Sequence, residues 1–74
     1  MPDLLYSRAG CHLCEDAEAA LNALNWTYTR IEISGDAELE RRYGWDVPVL
    51  VRADGTVLKG VITRARLSRL LPRG

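Results

Sequence analysis

The spacing of apolar residues changes twice within the first 33 residues of this 74-residue chain, and this limits the folds that it can adopt. Residues 3–7 form a short apolar run that predicts a β-strand. Residues 11–25 follow a helical period, with Asn25 as the expected end. Residues 26–33 are rich in aromatic and β-branched side chains and predict a second strand, most regular in its second half. Such a strand–helix–strand unit has parallel strands and a right-handed crossover.

The predicted first helix has an apolar face and a polar face. The apolar positions are Leu13, Ala17, Ala20, Leu21 and Leu24. The positions left for solvent are Glu15, Asp16, Glu18 and Asn22. The acidic residues crowd the first turns, where the positive end of the helix dipole favours them.

The second half of the chain predicts a short helix and a hairpin. Ser34-Gly35-Asp36 opens the helix, and Gly44 would close it as a left-handed cap. Residues 47–53 and 56–58 are typical of two strands, and Asp54-Gly55 between them is typical of a two-residue hairpin loop. These two strands should therefore be antiparallel.

A last helix is expected after Thr63, which is placed to cap it, and Pro72 would end it. Ile62 and Leu67 flank the cap at the spacing of a hydrophobic staple. The whole order, β-α-β-α-β-β-α, predicts an α/β fold with a four-stranded mixed sheet and flanking helices.

Length and composition predict one soluble domain over residues 1–74, because so short a chain cannot build two cores. The apolar fraction of 47% argues against disorder. The longest apolar stretch, residues 47–51, is far below the ~20 residues of a membrane-spanning helix. With no secretory signal at the N-terminus, we expect a cytoplasmic protein, monomeric and without a membrane partner.

Charge is uneven along the chain, although its net value is zero. Residues 1–51 carry four basic and nine acidic side chains, and residues 52–74 carry six basic and one acidic. Arg66, Arg69 and Arg73 recur at helical spacing, as on the solvated side of an amphipathic helix. No aromatic residues interleave with them, so we expect no nucleic-acid partner.

The chain has two cysteines, Cys11 and Cys14, where the first strand has ended and the first helix begins. They are too few for the disulfide framework of a small secreted domain. At a helix start, free N–H groups and the dipole favour an anion, so the Cys11 thiol should ionise readily. Cys14 lies one turn along, on the apolar side. Cys11 is therefore expected to attack a disulfide and Cys14 to resolve the mixed disulfide.

Other functions remain open for this pair. The cysteines could be small core residues or part of a metal site, although two cysteines and His12 cannot close a zinc site alone. Cys11 of two chains could share a metal or an iron–sulfur centre, which would make the protein a carrier. A binding module whose cysteines stay reduced is the third possibility.

Two segments carry a resemblance to a known family: residues 8–14, Arg-Ala-Gly-Cys-His-Leu-Cys, and residues 46–48, Asp-Val-Pro. With the element order, they resemble the glutaredoxin branch of the thioredoxin superfamily, over about residues 3–71. The resemblance is greatest to small bacterial glutaredoxin-like proteins. It implies a thiol-disulfide oxidoreductase with no tightly bound cofactor, a protein disulfide or glutathione as partner, and glutathione or a reductase as electron donor.

The resemblance also implies roles for three further residues. The Val47–Pro48 bond should be cis and face the cysteines, and the Val47 backbone should pair with an extended substrate. Arg8 should hold the Cys11 thiolate or a bound carboxylate. From the residues alone, Pro48 could equally be a trans strand-start proline, and Arg8 a solvated loop residue.

The chain departs from the glutaredoxin pattern at two places. His12-Leu13 replaces Pro-Tyr between the cysteines, and Lys59-Gly60 with Thr63 replaces Gly-Gly and an acidic cap. These departures predict that protein or peptide disulfides are better substrates than glutathione-mixed ones.

Other residues near the two motifs have two possible roles each. His12 could tune the thiolate or be an exposed spectator. Trp45 could line the substrate groove or pack on the second helix, whereas Trp26 and Tyr28 should be structural.

Overall fold

A computed structural model describes residues 2–71 of the chain. Its elements are β1 (Asp3–Ser7), α1 (His12–Ala23), β2 (Tyr28–Glu32), α2 (Ala37–Tyr43), β3 (Val49–Val51), β4 (Val57–Lys59) and α3 (Arg64–Ser68). The strands lie in the order β2-β1-β3-β4. β1 is parallel to β2 and antiparallel to β3, which is antiparallel to β4. The predicted α/β fold and mixed sheet are confirmed.

The core lies between the sheet and helices α1 and α3. Leu5 of β1 and Leu50 of β3 are paired across the sheet and face these helices. The buried cluster comprises Leu5, Ala17, Ala20, Leu21, Leu50, Ile62 and Leu67. Burial of each large aliphatic side chain contributes about 1.5–3 kcal/mol. On the opposite face, Tyr6 stacks on Tyr43 of α2 with ring centroids 4.1 Å apart, so helices cover both faces.

The helix ends agree largely with the prediction. Asn25 has a φ of 54° just after α1, as expected of a left-handed stop. The Thr63 side chain accepts the Arg66 amide at 3.1 Å and so caps α3, and both staple residues are buried in the core. Arg66 is not simply solvated, because its guanidinium donates to the Lys59 and Val61 carbonyls. Pro72 and Arg73 lie outside the described residues.

The hairpin loop has three residues rather than the predicted two. Val51 pairs with Val57, and the Arg52 amide donates to the Thr56 carbonyl at 2.8 Å, which leaves residues 53–55 as the loop. Gly55 has a φ of 92° and follows a turn closed by its amide on the Arg52 carbonyl. This is the three-residue hairpin with one left-handed glycine, and it needs only one positive φ.

Gly44 is not the left-handed cap that was predicted, since its φ is −54° and the helical turn continues through it. A side chain is excluded there for another reason. An added Cβ would lie 2.4 Å from the Glu40 carbonyl oxygen and 3.3 Å from the Arg8 guanidinium. Glycine at this position therefore avoids a clash with the backbone of the preceding helical turn and leaves room for the Arg8 guanidinium.

Within residues 2–71, no helix has the length and apolar character needed to cross a membrane.

Candidate active site

Cys11 is the N-cap residue of α1, directly after the loop that follows β1. Its φ of −93° and ψ of 114° are extended, and its Sγ accepts the backbone amide of Cys14 at 3.3 Å. Its own amide donates to the Arg8 carbonyl at 3.3 Å. The thiol thus takes the place of the usual hydroxyl or carboxylate cap. A negative charge on this sulfur would meet free N–H groups and the positive end of the helix dipole.

Cys14 has no exposed surface, whereas Cys11 is half-buried, and both are free thiols. Burial raises the pKa of Cys14, and a hydrogen bond to the Cys11 thiol raises it further. Hydrogen bonds from the Arg8 backbone and the Ser7 side chain act in the opposite direction. The inner thiol therefore keeps its proton more firmly than an ordinary cysteine. Within residues 2–71, no group of three or more Cys, His, Asp or Glu is arranged to hold a metal ion.

The Val47–Pro48 peptide bond is cis, and Pro48 is fully buried. Tyr6 of β1 pairs with Val49, so one further step of the register places Pro48 opposite Ser7, at the end of the sheet where α1 begins. The Val47 amide already donates to the Tyr43 carbonyl at 3.0 Å. The expected pairing of the Val47 backbone with an extended substrate therefore cannot use the amide while this bond is made. Among the described residues, no donor bonds to the Val47 carbonyl.

Arg8 points to α2 rather than to the cysteines. Its Nη1 lies 2.6 Å from Glu40 Oε1, and its Nη2 donates to the Gly44 carbonyl at 3.2 Å. Two acceptors on α2 thus hold the guanidinium, so the expected contact with the Cys11 thiolate is not made. The view of Arg8 as a solvated loop residue is also wrong. Binding of a substrate carboxylate by Arg8 stays a prediction.

The side chains of His12, Trp45 and Leu13 are all exposed to solvent. The His12 side chain is 89% exposed, with its Nε2 3.6 Å from Asp16 Oδ2. Trp45 is 98% exposed, so it does not pack on α2, and its place in a substrate groove stays a prediction. Leu13 is 42% exposed, contrary to the expected core position. It lies in the first turn of α1, one turn before Ala17, where Cys14 takes the inward position instead.

The family described as "Glutaredoxin-like domain (DUF836)" matches residues 4–72. The chain belongs to this glutaredoxin-like family. The match covers both cysteines, the Val47–Pro48 pair and every element of the sheet, and it agrees with the resemblance drawn from the sequence. Curated proteins gave no match.

Solved structures with the same fold include three that can be compared with this chain in detail. The crystal structure of protein XcR50 from X. campestris is 38% identical, with 92% of each chain covered and a TM-score of 0.84. Protein Ne2328 from Nitrosomonas europaea is 30% identical, with 97% of this chain and 94% of that one covered and a TM-score of 0.72. The thioredoxin-like protein BC3987 is 26% identical, with 93% and 99% covered and a TM-score of 0.73.

This glutaredoxin-like chain also has a polar network behind the cysteines, which sequence reasoning missed. The Ser7 hydroxyl donates to Glu18 Oε2 at 3.4 Å, and Arg30 Nε lies 3.3 Å from the same oxygen. Glu18, predicted to face solvent, is thus only 27% exposed in its side chain. Two sequence features could have revealed this network. Glu18 is four residues from Cys14 on the same helix, and the alternation of apolar and polar residues is irregular near Arg30.

Glu32 extends this network to the loop before the cysteines. Its Oε1 lies 3.0 Å from Arg30 Nη2, and its Oε2 accepts the amides of Ala9 at 3.2 Å and Ser34 at 3.1 Å. Hydrogen bonds from Ser34, then from Arg30, lower the pKa of Glu32 to about 2. This carboxylate therefore joins the end of β2 to the loop that positions Cys11.

Proposed function

We propose that this chain is a thiol-disulfide oxidoreductase in which Cys11 is the nucleophile and Cys14 the resolving cysteine. The observation that carries the proposal is the arrangement of the two thiols within one helical turn. The outer sulfur accepts the Cys14 amide at the helix start, and the inner sulfur lies behind it without solvent access. Family membership supports the same chemistry.

The proposed reaction has two exchange steps. The Cys11 thiolate attacks one sulfur of the substrate disulfide, forms a mixed disulfide and expels the other sulfur as a thiolate. Cys14, as its thiolate, then attacks Cys11 Sγ, which releases the second substrate thiolate and leaves a Cys11–Cys14 disulfide. Two electrons have passed to the substrate, and the expelled thiolates take protons. Glutathione or a reductase returns the protein to the dithiol.

Substrates of this site are proposed to be protein or peptide disulfides. An extended peptide can bond to the open Val47 carbonyl, while its side chains reach the exposed Trp45 and Leu13. Thr63 caps α3 through its hydroxyl in place of the acidic residue typical of glutaredoxins. We therefore expect glutathione to serve less well as a mixed-disulfide substrate than a peptide does.

Trapping of the mixed disulfide tests the assignment of the two cysteines. Cys11→Ser should abolish reduction of a peptide disulfide, because no outer thiolate remains. Cys14→Ser should instead accumulate a covalent adduct on Cys11, detected as the mass of one peptide thiol by intact-mass spectrometry. Full reductase activity in Cys11→Ser, or an adduct mapped to Cys14 in the wild type, would overturn the proposal.

The substrate preference needs a separate comparison. Rates are measured on the wild type with a peptide disulfide and with a glutathione-mixed disulfide of the same peptide thiol. We expect the larger kcat/KM for the peptide disulfide. Faster glutathione-dependent turnover of the mixed disulfide would reverse the preference while leaving the oxidoreductase assignment intact.

A further inference from the structure

Arg8 connects the loop before Cys11 to helix α2, and the proposed reaction has not used it. The Arg8 carbonyl accepts the Cys11 amide at 3.3 Å. Its guanidinium reaches α2, with Nη1 2.6 Å from Glu40 Oε1 and Nη2 donating to the Gly44 carbonyl at 3.2 Å. One residue thus contacts both the proposed nucleophile and the end of α2.

The segment that follows α2 is held by the last residue of that helix. The Tyr43 carbonyl accepts the amide of Asp46 at 2.9 Å and that of Val47 at 3.0 Å. Val47 is also the residue whose open carbonyl is proposed to bond to an extended substrate. The position of this substrate contact therefore follows the position of α2.

Helix α2 is joined to the rest of the fold by surface contacts. None of its residues, Ala37–Tyr43, is buried, so core packing does not determine where it lies. Tyr43 stacks on Tyr6 of β1. Arg8, on the loop after β1, adds two polar contacts near the same end of the helix. Loss of Arg8 should therefore loosen α2 without opening the core.

The contact between Arg8 and Glu40 is stronger than an exposed ion pair, because water reaches it poorly. Glu40 Oε1 is buried, and Arg8 Nη1 contacts it at close range without the direction of a hydrogen bond. Opposite charges shielded from water attract each other more than charges at the surface. The hydrogen bond to the Gly44 carbonyl supplies the direction that the ion pair lacks.

On the basis of the proposed oxidoreductase function, we infer that Arg8 is a positioning residue, which holds the Val47 carbonyl at a fixed distance from the Cys11 thiol. A peptide bonded at Val47 then presents its disulfide to the attacking sulfur. Without Arg8, α2 and the segment after it shift relative to the loop of Cys11, and the bound disulfide is misplaced. A small disulfide that does not bond to Val47 needs only the Cys11 thiol.

Direct binding of a substrate carboxylate by Arg8 predicts a different result. It acts only on substrates that carry a carboxylate, whereas positioning acts on any extended peptide. It also makes Glu40 a competitor, so Glu40→Ala would free the guanidinium for the substrate. With positioning, Glu40→Ala weakens the contact with α2 and slows the reaction. A peptide without a carboxylate therefore distinguishes the two roles.

The test compares two uncharged disulfides with the same leaving group in a Cys14→Ser background, where only the first exchange step occurs. One substrate is dipyridyl disulfide. The other is the pyridyl disulfide of a peptide with one cysteine, an acetylated N-terminus, an amidated C-terminus and no charged side chain. Attack by Cys11 on either substrate releases pyridinethione, whose absorbance is followed by stopped flow. The two second-order rate constants are then compared for each variant.

We expect Arg8→Ala to lower the rate constant for the peptide about 10-fold and to leave that for dipyridyl disulfide within about 2-fold. Arg8→Lys should recover part of the loss, since it keeps the charge but not the planar fork. Glu40→Ala keeps the bond from Arg8 to the Gly44 carbonyl and should slow the peptide about 3-fold, so it tests the contact even where Arg8→Ala fails to fold. The variant with both Arg8→Ala and Glu40→Ala should be no slower than Arg8→Ala, because both changes remove the same ion pair.

Arg41→Ala is the matched control, because it breaks the exposed pair of Arg41 with Glu38 on the same helix. Both of its rate constants should equal those of the Cys14→Ser background. Equal losses with both disulfides in Arg8→Ala, an unchanged peptide rate there, or a faster peptide reaction in Glu40→Ala would overturn the positioning role. If the Cys14→Ser protein releases no pyridinethione, or if release survives a further Cys11→Ser change, the proposed oxidoreductase function is wrong instead.

Discussion

The backbone amide of Cys14 donates a hydrogen bond to the sulfur of Cys11 at 3.3 Å, while the sulfur of Cys14 is closed to solvent. Within the first turn of α1, the Cys11 thiol thus lies at the positive end of the helix and the Cys14 thiol is buried behind it. The outer sulfur meets backbone donors that favour an anion. The inner sulfur meets the apolar side of α1, where the neutral thiol is preferred.

This difference in access predicts selective alkylation of the reduced protein. With limiting iodoacetamide near neutral pH, Cys11 should be modified roughly 10-fold or more faster than Cys14, because only the outer thiol is reachable without opening of the fold. Peptide mapping by mass spectrometry gives the two rates. In denaturant the rates should become similar. Preferential labelling of Cys14 in the folded protein would contradict the assigned order.

The raised pKa of Cys14 predicts a loss of stability at alkaline pH. The unfolded chain releases this proton near the ordinary value of ~8.5, whereas the folded chain retains it to higher pH. The contribution is therefore complete below ~8.5 and is lost as pH rises toward the folded value, with a slope of at most about 1.4 kcal/mol per pH unit.

Urea denaturation under reducing conditions measures this effect in a Cys11→Ala background, where only Cys14 titrates as a thiol. Cys11→Ala/Cys14→Ala is the control, and the difference between the two free energies of unfolding isolates Cys14. The difference should change above pH ~8.5 in the direction of lower stability for the protein that keeps Cys14. If the difference between the two free energies of unfolding does not change with pH, folding does not raise the pKa of Cys14.

The element order could be predicted from the sequence because each element carries its own period. The change from a strand run to helical spacing at Cys11, the stop at Asn25 and the cap at Thr63 are local features. Local backbone preferences and burial of one face determine all three. The placement of two cysteines at the start of the first helix follows from the same reasoning.

The errors have both local and distant causes. Gly44 was expected to need a left-handed φ, yet the space for a side chain there is taken by the Glu40 carbonyl oxygen, four residues earlier in the chain, and by the Arg8 guanidinium. Arg8 was expected to hold the thiolate or a bound carboxylate, but Glu40 and the Gly44 carbonyl bind its guanidinium. The Val47 amide donates to the Tyr43 carbonyl, also four residues earlier, in an irregular turn. None of these contacts is marked by a helix or strand period in the sequence.

Glu32 should make the fold sensitive to acid in a defined range. Its pKa of about 2 lies below the ordinary carboxyl value of ~4.3, so its contribution to stability is present above ~4.3 and is lost as pH falls toward about 2. Glu32→Gln lacks this charge. We therefore expect the wild type to be the more stable protein at pH ~6 and the gap between the two to shrink below pH ~4.3.

Urea denaturation at a series of pH values gives that gap directly. Glu15→Gln serves as the control, since Glu15 is exposed and lies outside the network of Arg30 and Glu32. The control should show a small gap with little change over the same range. A gap for Glu32→Gln that is constant down to pH ~2 would contradict the role of the ionised carboxylate.

Trp45 should contribute to substrate binding and not to the fold. Trp45 lies two residues before Val47, and its side chain is 98% exposed, so its removal leaves no cavity. Trp45→Ala should shift the free energy of unfolding by no more than about 0.5 kcal/mol. An exposed indole beside an extended substrate can bury a large apolar area, so kcat/KM for a peptide disulfide should fall about 3-fold to 10-fold.

The rate of the Trp45→Ala variant with a small aromatic disulfide, which extends little beyond the reacting sulfurs, should stay unchanged. Val57→Ala, at an exposed apolar position on the edge strand β4, is the matched control and should alter neither rate. Equal losses with both disulfides would place the effect at the cysteines instead, and unchanged peptide kinetics would show that Trp45 lies outside the substrate's reach.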